Sequence, residues 1–144
     1  MKSKTLKFDL YEEKIDVCVG TRKELYAHAK RYYKDKVDPE SLVTILQMVD
    51  SKENYAGRCI SNTCILLGYR YQALYIVLFP SIKRDPDDYY ATLVHELYHA
   101  VENIAIDLGF SRKEDGAYLI GELYKKCAPL VREEILKLPN NKKD

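Results

Sequence analysis

Residues 91 to 103 read ATLVHELYHAVEN and hold two of the chain's three histidines. His95 and His99 stand one helical turn apart, so on an α-helix both imidazoles leave the same face and can share one cation. Imidazole nitrogens suit zinc, which in hydrolytic sites takes three protein ligands and keeps a fourth position for water. His95 and His99 are therefore the expected ligands. Glu96 projects beside the pair and is the expected proton carrier, taking a proton from zinc-bound water as it attacks a carbonyl and passing it to the leaving amine. The bland alternative makes all three ordinary helix residues. Against it, the neighbours from Thr92 to Val101 are uncharged. They predict a largely buried helix, in which ionisable groups need a partner such as a metal.

This HExxH stretch resembles the zincin metallopeptidases, whose active-site helix follows a mixed sheet. VENIAIDLGF follows the second histidine with no third histidine, unlike the metzincin pattern. The arrangement it resembles is that of the gluzincins, with a glutamate ligand on a following helix. EDGAYLIGEL looks like the ExxA-type segment of small phage- and prophage-encoded metallopeptidases, and that likeness implies Glu114 as the third zinc ligand. Thermolysin-like enzymes place an aspartate one turn after the glutamate ligand. Tyr118 occupies that position here, which leaves the support of the ligands unassigned and makes Tyr118 a candidate donor to the oxyanion. The resemblance covers residues 73 to 126 and, in the N-terminal half, the order of elements alone. It implies an extended peptide substrate paired with a sheet edge, at either ALYIVLFP or CILLG.

The residues themselves leave other third ligands open. Ser111 to Glu114 form a capping box that would turn the Glu114 carboxylate back onto the Ser111 backbone. The motif helix travels roughly 13 Å beyond His99, and a tight antiparallel return brings a residue near 121 or 122 opposite it, which favours Glu122. An extended connection over 109–113 covers roughly 16 Å, enough to carry Glu114 back toward the metal. Asp115, or a site with no third protein ligand, completes the alternatives. Ala117 and Gly121, four apart, would let the second helix approach the first closely. Asn103 and Asp107 extend the His99 face and read as solvated positions, with support of the ligating groups as the alternative.

Several elements must position these groups. KIDVCVG, residues 14 to 20, alternates as a first strand, and Thr21 with Glu24 forms a capping box opening a helix through about Tyr33. His28 falls in that helix as a plain surface or packing residue. Asp38-Pro39-Glu40 starts SLVTILQMV, whose β-branched residues fit a short helix or a strand. From Tyr55 to Pro80 the pattern is an antiparallel hairpin with GYRYQ as its connection, and the run ALYIVLFP suits a strand covered on both faces. Asp85-Pro86 opens the motif helix, which runs to Leu108 with Gly109 as its stop. A further helix extends to about Cys127, Ala128-Pro129 interrupts it, and VREEILKL forms a last helix. The expected fold is α+β: one compact zincin-like domain over residues 1–144, with 139–144 as a flexible tail. A small mixed sheet packs against the HExxH helix and a following glutamate-bearing helix.

Composition narrows the function classes. Across 144 residues, 23 Lys and Arg offset 22 Asp and Glu to a net charge of +1, which leaves no basic footprint for nucleic acid. The charged N-terminus is no signal peptide, and no apolar run is long enough to span a bilayer. Cys18, Cys59, Cys64 and Cys127 form no close CxxC pair and read as free buried thiols, with a Cys59–Cys64 link across the hairpin as the alternative. The 13 tyrosines suit a small domain whose core reaches the surface in many places. The reading is a cytoplasmic zinc-dependent metallopeptidase, in a bacterial host or phage-infected cell, acting on a peptide or protein. Its rival is a zincin-like phage accessory or regulatory protein whose metal site is structural or vestigial.

Overall fold

The apolar alternation that begins at Ile15 sets the centre of the molecule. In the computed structural model, which describes residues 1–8, 13–50, 56–64, 69–108 and 114–139, this segment is strand β2, Glu13–Thr21. Ile15, Val17 and Val19 are fully buried on one face of it, while Asp16 and Cys18 are buried on the other. β2 is not the first strand, as the sequence suggests: β1, Lys2–Phe8, precedes it and pairs antiparallel along its outer edge. Lys2, Lys4 and Lys7 punctuate β1, a charged composition typical of a protected sheet edge and a weak signal for a strand.

The hairpin forms as β3, Gly57–Cys64, and β4, Tyr69–Leu78, in antiparallel register with Cys59 opposite Leu74. Tyr69 to Gln72 belong to β4 rather than to a connection, and residues 65–68 lie outside the described residues. β4 then pairs parallel with β2, Val17 facing Leu74 and Val19 facing Ile76, which gives a mixed sheet in the order β1-β2-β4-β3. Two neighbouring strands bury β4 along its edges. Ala73, Tyr75 and Val77 fill the core on one face, and Leu74, Ile76 and Leu78 that on the other. That is the physical reason its sequence is a near-continuous apolar run.

Helices cover both faces of the sheet, as the continuous apolar run of ALYIVLFP anticipates. On one face lie α1, Arg22–Tyr33, and α2, Pro39–Val49. α1 opens as its capping box predicts, with Thr21 Oγ1 accepting from the Glu24 N–H at 3.3 Å and the Glu24 carboxylate accepting from the Thr21 N–H at 3.0 Å. The helix-or-strand ambiguity of SLVTILQMV resolves to a helix. Asp38 Oδ1 caps the Ser41 N–H at 2.6 Å and Pro39 takes the first turn, where its missing N–H costs nothing.

On the other face lie α3, Pro86–Leu108, and α4, Glu114–Leu136. α4 runs through Pro129 without the expected break. A proline inside a helix costs about 3 kcal/mol. Val131 and Ile135 beyond it are buried, each worth about 1.5–3 kcal/mol in the core, so packing outweighs the local penalty. Gly109 and Ser111, the expected stop and start, lie outside the described residues. Among the described residues no helix is long and apolar enough to cross a membrane.

Cys18 and Cys127 are buried free thiols and Cys59 is a half-buried one. The alternative Cys59–Cys64 link is excluded by strand geometry. Both lie in β3, five residues apart and hence roughly 16 Å distant, far beyond disulfide reach.

Candidate metal centre

α3 is amphipathic, and its register decides which motif residues meet solvent. Leu93, Leu97, Ala100 and Ile104 point into the core, whereas His95 and His99 are exposed. The helix is therefore not largely buried, as its uncharged neighbours suggest. Val94 and Tyr98 are about half exposed beside the histidines, and Glu96 alone of the three motif residues is buried, at 6 % exposure.

His95 and His99 converge. Their Nε2 atoms stand 3.1 Å apart, with ring centroids at 4.7 Å and planes 78° to each other. Two nitrogens each roughly 2.0–2.1 Å from one tetrahedral ion would lie about 3.3 Å apart, so the pair matches one edge of a zinc shell with almost no adjustment. The Tyr98 ring abuts His99, centroid to centroid 6.1 Å, and limits its swing.

Glu96 turns toward β3. Its Cγ lies against Gly57, close enough that a Cβ on that glycine would stand 3.0 Å away. Among the described residues β3 is paired on one side alone, with β4, and its other edge lies free beside the motif helix. ALYIVLFP lies in the central strand β4 and is not that edge; of CILLG only Cys64, at the end of β3, falls among the described residues. Cys59 lies on the same side of β3, and its thiol is pushed up to about 12, first by burial and then by the neighbouring Glu96 charge. A thiol held protonated to that degree is a weak hydrogen-bond donor. It meets Gln72 Oε1 at 3.9 Å.

A polar contact between helix and sheet underlies the site. Asn103 is not a solvated position: its Nδ2 donates to Oε1 of Gln72 at 3.1 Å, and Gln72 is 1 % exposed in the middle of β4. Sequence reading passed over Gln72, although a glutamine at the start of an apolar run is the available signal. It also passed over Gly57, for which a glycine inside a strand pattern is the cue. The Asp107 side chain is outside the described residues.

α4 returns alongside α3 earlier than a tight hairpin would. Gly116 faces Val101, whose Cγ1 would lie 3.6 Å from an added Cβ, and Gly116 and Ile120 line a hollow of about 70 Å³ with Tyr98, Val101 and Glu102. The small residue at the helix contact is therefore Gly116. Ala117 and Gly121 are exposed, and Gly121 has nothing within 4 Å of an added Cβ. This register sets residues 118 and 119, not 121 or 122, level with His99, and removes the argument for Glu122. Glu122 instead holds Lys125 at 3.3 Å. Glu114 is the first residue of α4, two positions before the Gly116 contact; its side chain and that of Asp115 lie outside the described residues. Tyr118 lies across α4 from Gly116 and is 74 % exposed, so it is not brought to the histidine pair. Among the described residues no group of three or more His, Cys, Asp or Glu side chains surrounds a metal position.

A larger hollow, about 380 Å³, opens where β2 and β4 end, between Arg22, Phe79 and Ile82, and contains none of these residues.

The fold and site together define an α+β protein with a paired-histidine helix beside an edge strand. No family model matches the chain, and neither the curated proteins nor the solved structures contain a match to it.

Proposed function

We propose that this chain is a zincin-like, zinc-dependent peptidase of the gluzincin type. The observation that carries the reading is the 3.1 Å Nε2 pair of His95 and His99 with Glu96 packed beside it under the edge strand. In this reading His95, His99 and Glu114 hold the zinc, with Glu114 delivered from the first turn of α4.

When bound, zinc lowers the pKa of a coordinated water and polarises a carbonyl oxygen. The protein supplies the rest. Glu96 accepts the water's proton as the carbonyl carbon is attacked and returns it to the departing nitrogen, so that an amine rather than an amide anion leaves. The burial of Glu96 restricts its rotamers and holds it ready for both transfers. The free edge of β3 offers unpaired N–H and C=O groups to an extended peptide, which would add to the sheet as a further strand running past the histidines. Tyr98, half exposed beside His99, is available to substrate side chains.

The test is Glu96→Gln. The variant should bind zinc as the parent does and cleave an unfolded protein substrate about 10²- to 10⁴-fold more slowly. Equal cleavage by parent and variant would end the peptidase reading. Zinc binding with no cleavage by either would favour the rival, an accessory protein that keeps the metal for stability or recognition.

A further inference from the structure

Gly57 is the closest approach of the edge strand to the motif helix. A Cβ built there would stand 2.6 Å from Thr92 Cγ2, 3.0 Å from Glu96 Cγ and 3.1 Å from the Tyr75 carbonyl oxygen. The backbone at Gly57 is outside the left-handed region, so glycine is not required there for its dihedral angles. Glycine also weakens a strand interior. What remains is space: the strand lies on the helix at a height that leaves no room for a side chain.

Two of the three neighbours do not yield easily. Thr92 Oγ1 donates to the Asp88 carbonyl at 2.9 Å, which fixes its β-branched side chain in the rotamer that presents Cγ2 to the strand. The Tyr75 carbonyl is β4 backbone. Just before Gly57, the Ala56 carbonyl accepts from the Val77 N–H at 2.9 Å and ties the start of β3 to β4. A side chain at position 57 therefore has to lift the strand from α3 or push the Glu96 stem aside.

We propose that Gly57 is a positioning residue for Glu96: by letting β3 rest directly on α3, it confines the Glu96 stem and so sets where the carboxylate stands beside the histidine pair. The inference rests on the peptidase reading for its consequence in catalysis, but the confinement itself can be measured apart from activity. Its effect on the proton carrier runs through Glu96 rather than through a contact of its own with the metal.

The experiment compares the parent with Gly57→Ala, Thr92→Ser and the Gly57→Ala/Thr92→Ser pair in the full chain. The serine keeps the hydroxyl bond to Asp88 and removes the methyl that the new Cβ meets. Three quantities are read: zinc affinity by competition with a chelating dye, labelling of Glu96 by carbodiimide and an amine followed by peptide mass spectrometry, and hydrolysis of fluorescent casein. Gly57→Ala should leave zinc affinity within about twofold, because both histidines lie outside the contact, label Glu96 several-fold faster, and lower kcat about 10²-fold through misplacement of the proton carrier. Adding Thr92→Ser removes the 2.6 Å contact but not the 3.0 Å approach to Glu96 Cγ, so it should reverse part of the change in labelling and in kcat and leave the pair labelled faster than Thr92→Ser alone. A generally loosened fold would instead weaken zinc binding and would not be rescued by removing one methyl. The inference is overturned if Glu96 in Gly57→Ala is labelled at the parental rate. If Gly57→Ala does not fold, the pair is compared with Thr92→Ser alone, where the 3.0 Å approach to Glu96 Cγ persists and faster labelling in the pair is again required. A parent that binds zinc and cleaves nothing fails the peptidase reading, while the labelling still decides whether Gly57 confines the carboxylate.

Discussion

The Nε2 atoms of His95 and His99 lie 3.1 Å apart on the exposed side of α3. In the proposed site an ion between them would replace a mutual contact by two bonds, with no change of helix geometry. Protein purified without chelator should carry one zinc, and His95→Ala or His99→Ala should weaken binding by at least about 10²-fold, since each removes a direct ligand where loss of a mere supporting group costs 10- to 100-fold. Glu114→Ala should weaken it comparably. Glu122→Ala should not, because Glu122 is engaged with Lys125. Metal content and dye competition across the four variants check this, and a loss with Glu122→Ala but not Glu114→Ala would reassign the third ligand.

The Asn103–Gln72 bond fastens α3 to the centre of the sheet, just past the histidines. Asn103→Ala removes a donor to a side chain that has almost no access to water. It should cost about 1–3 kcal/mol, read as a lower urea midpoint at unchanged slope. Equal midpoints for parent and variant would show that water replaces the donor.

Asp16 presents the opposite case. It is 5 % exposed on the α1–α2 side of β2, and among the described residues neither of its carboxylate oxygens has a hydrogen-bond partner. An unpartnered polar group in the core costs free energy that an apolar residue does not. Asp16→Val, between Ile15 and Val17 in a strand, should raise stability by about 1–3 kcal/mol. A lower thermal midpoint for the variant would mean that the carboxylate is satisfied in solution.

His28 stacks on Tyr32, ring centroids 5.5 Å apart, as a packing residue. Burial, and then the Arg31 charge, lower its pKa below the ordinary 6.5. The unfolded chain therefore takes up this proton first as pH falls. The contribution of His28 to stability is intact above 6.5 and is lost as pH drops through the lowered folded value. Urea unfolding at pH 7.5 and 5 should show a smaller pH-dependent loss for His28→Gln than for the parent.

Much of the local structure is legible in the chain. Thr21 with Glu24, Asp38 with Pro39, and Asp85 with Pro86 each mark a helix start within a few residues, because capping is a hydrogen bond between near neighbours in sequence. The facing of His95 and His99 is equally local, since four residues of helix suffice to define it. Misreadings gather where distant segments decide. The hairpin connection, the break at Pro129 and the solvation of Asn103 are read wrongly because a strand partner, a core stripe and a buried glutamine override local preference.

By itself, the sequence determined that two imidazoles and a carboxylate share one helix in a spacing suited to a metal, and which residues open the helices. Tertiary structure alone decided that β3 is the edge strand, that it lies on Glu96 at Gly57, and that α4 returns with Gly116 against Val101. The reason is physical. Spacing within a helix follows from backbone geometry, whereas the height of a strand over a helix depends on side chains brought together from far along the chain.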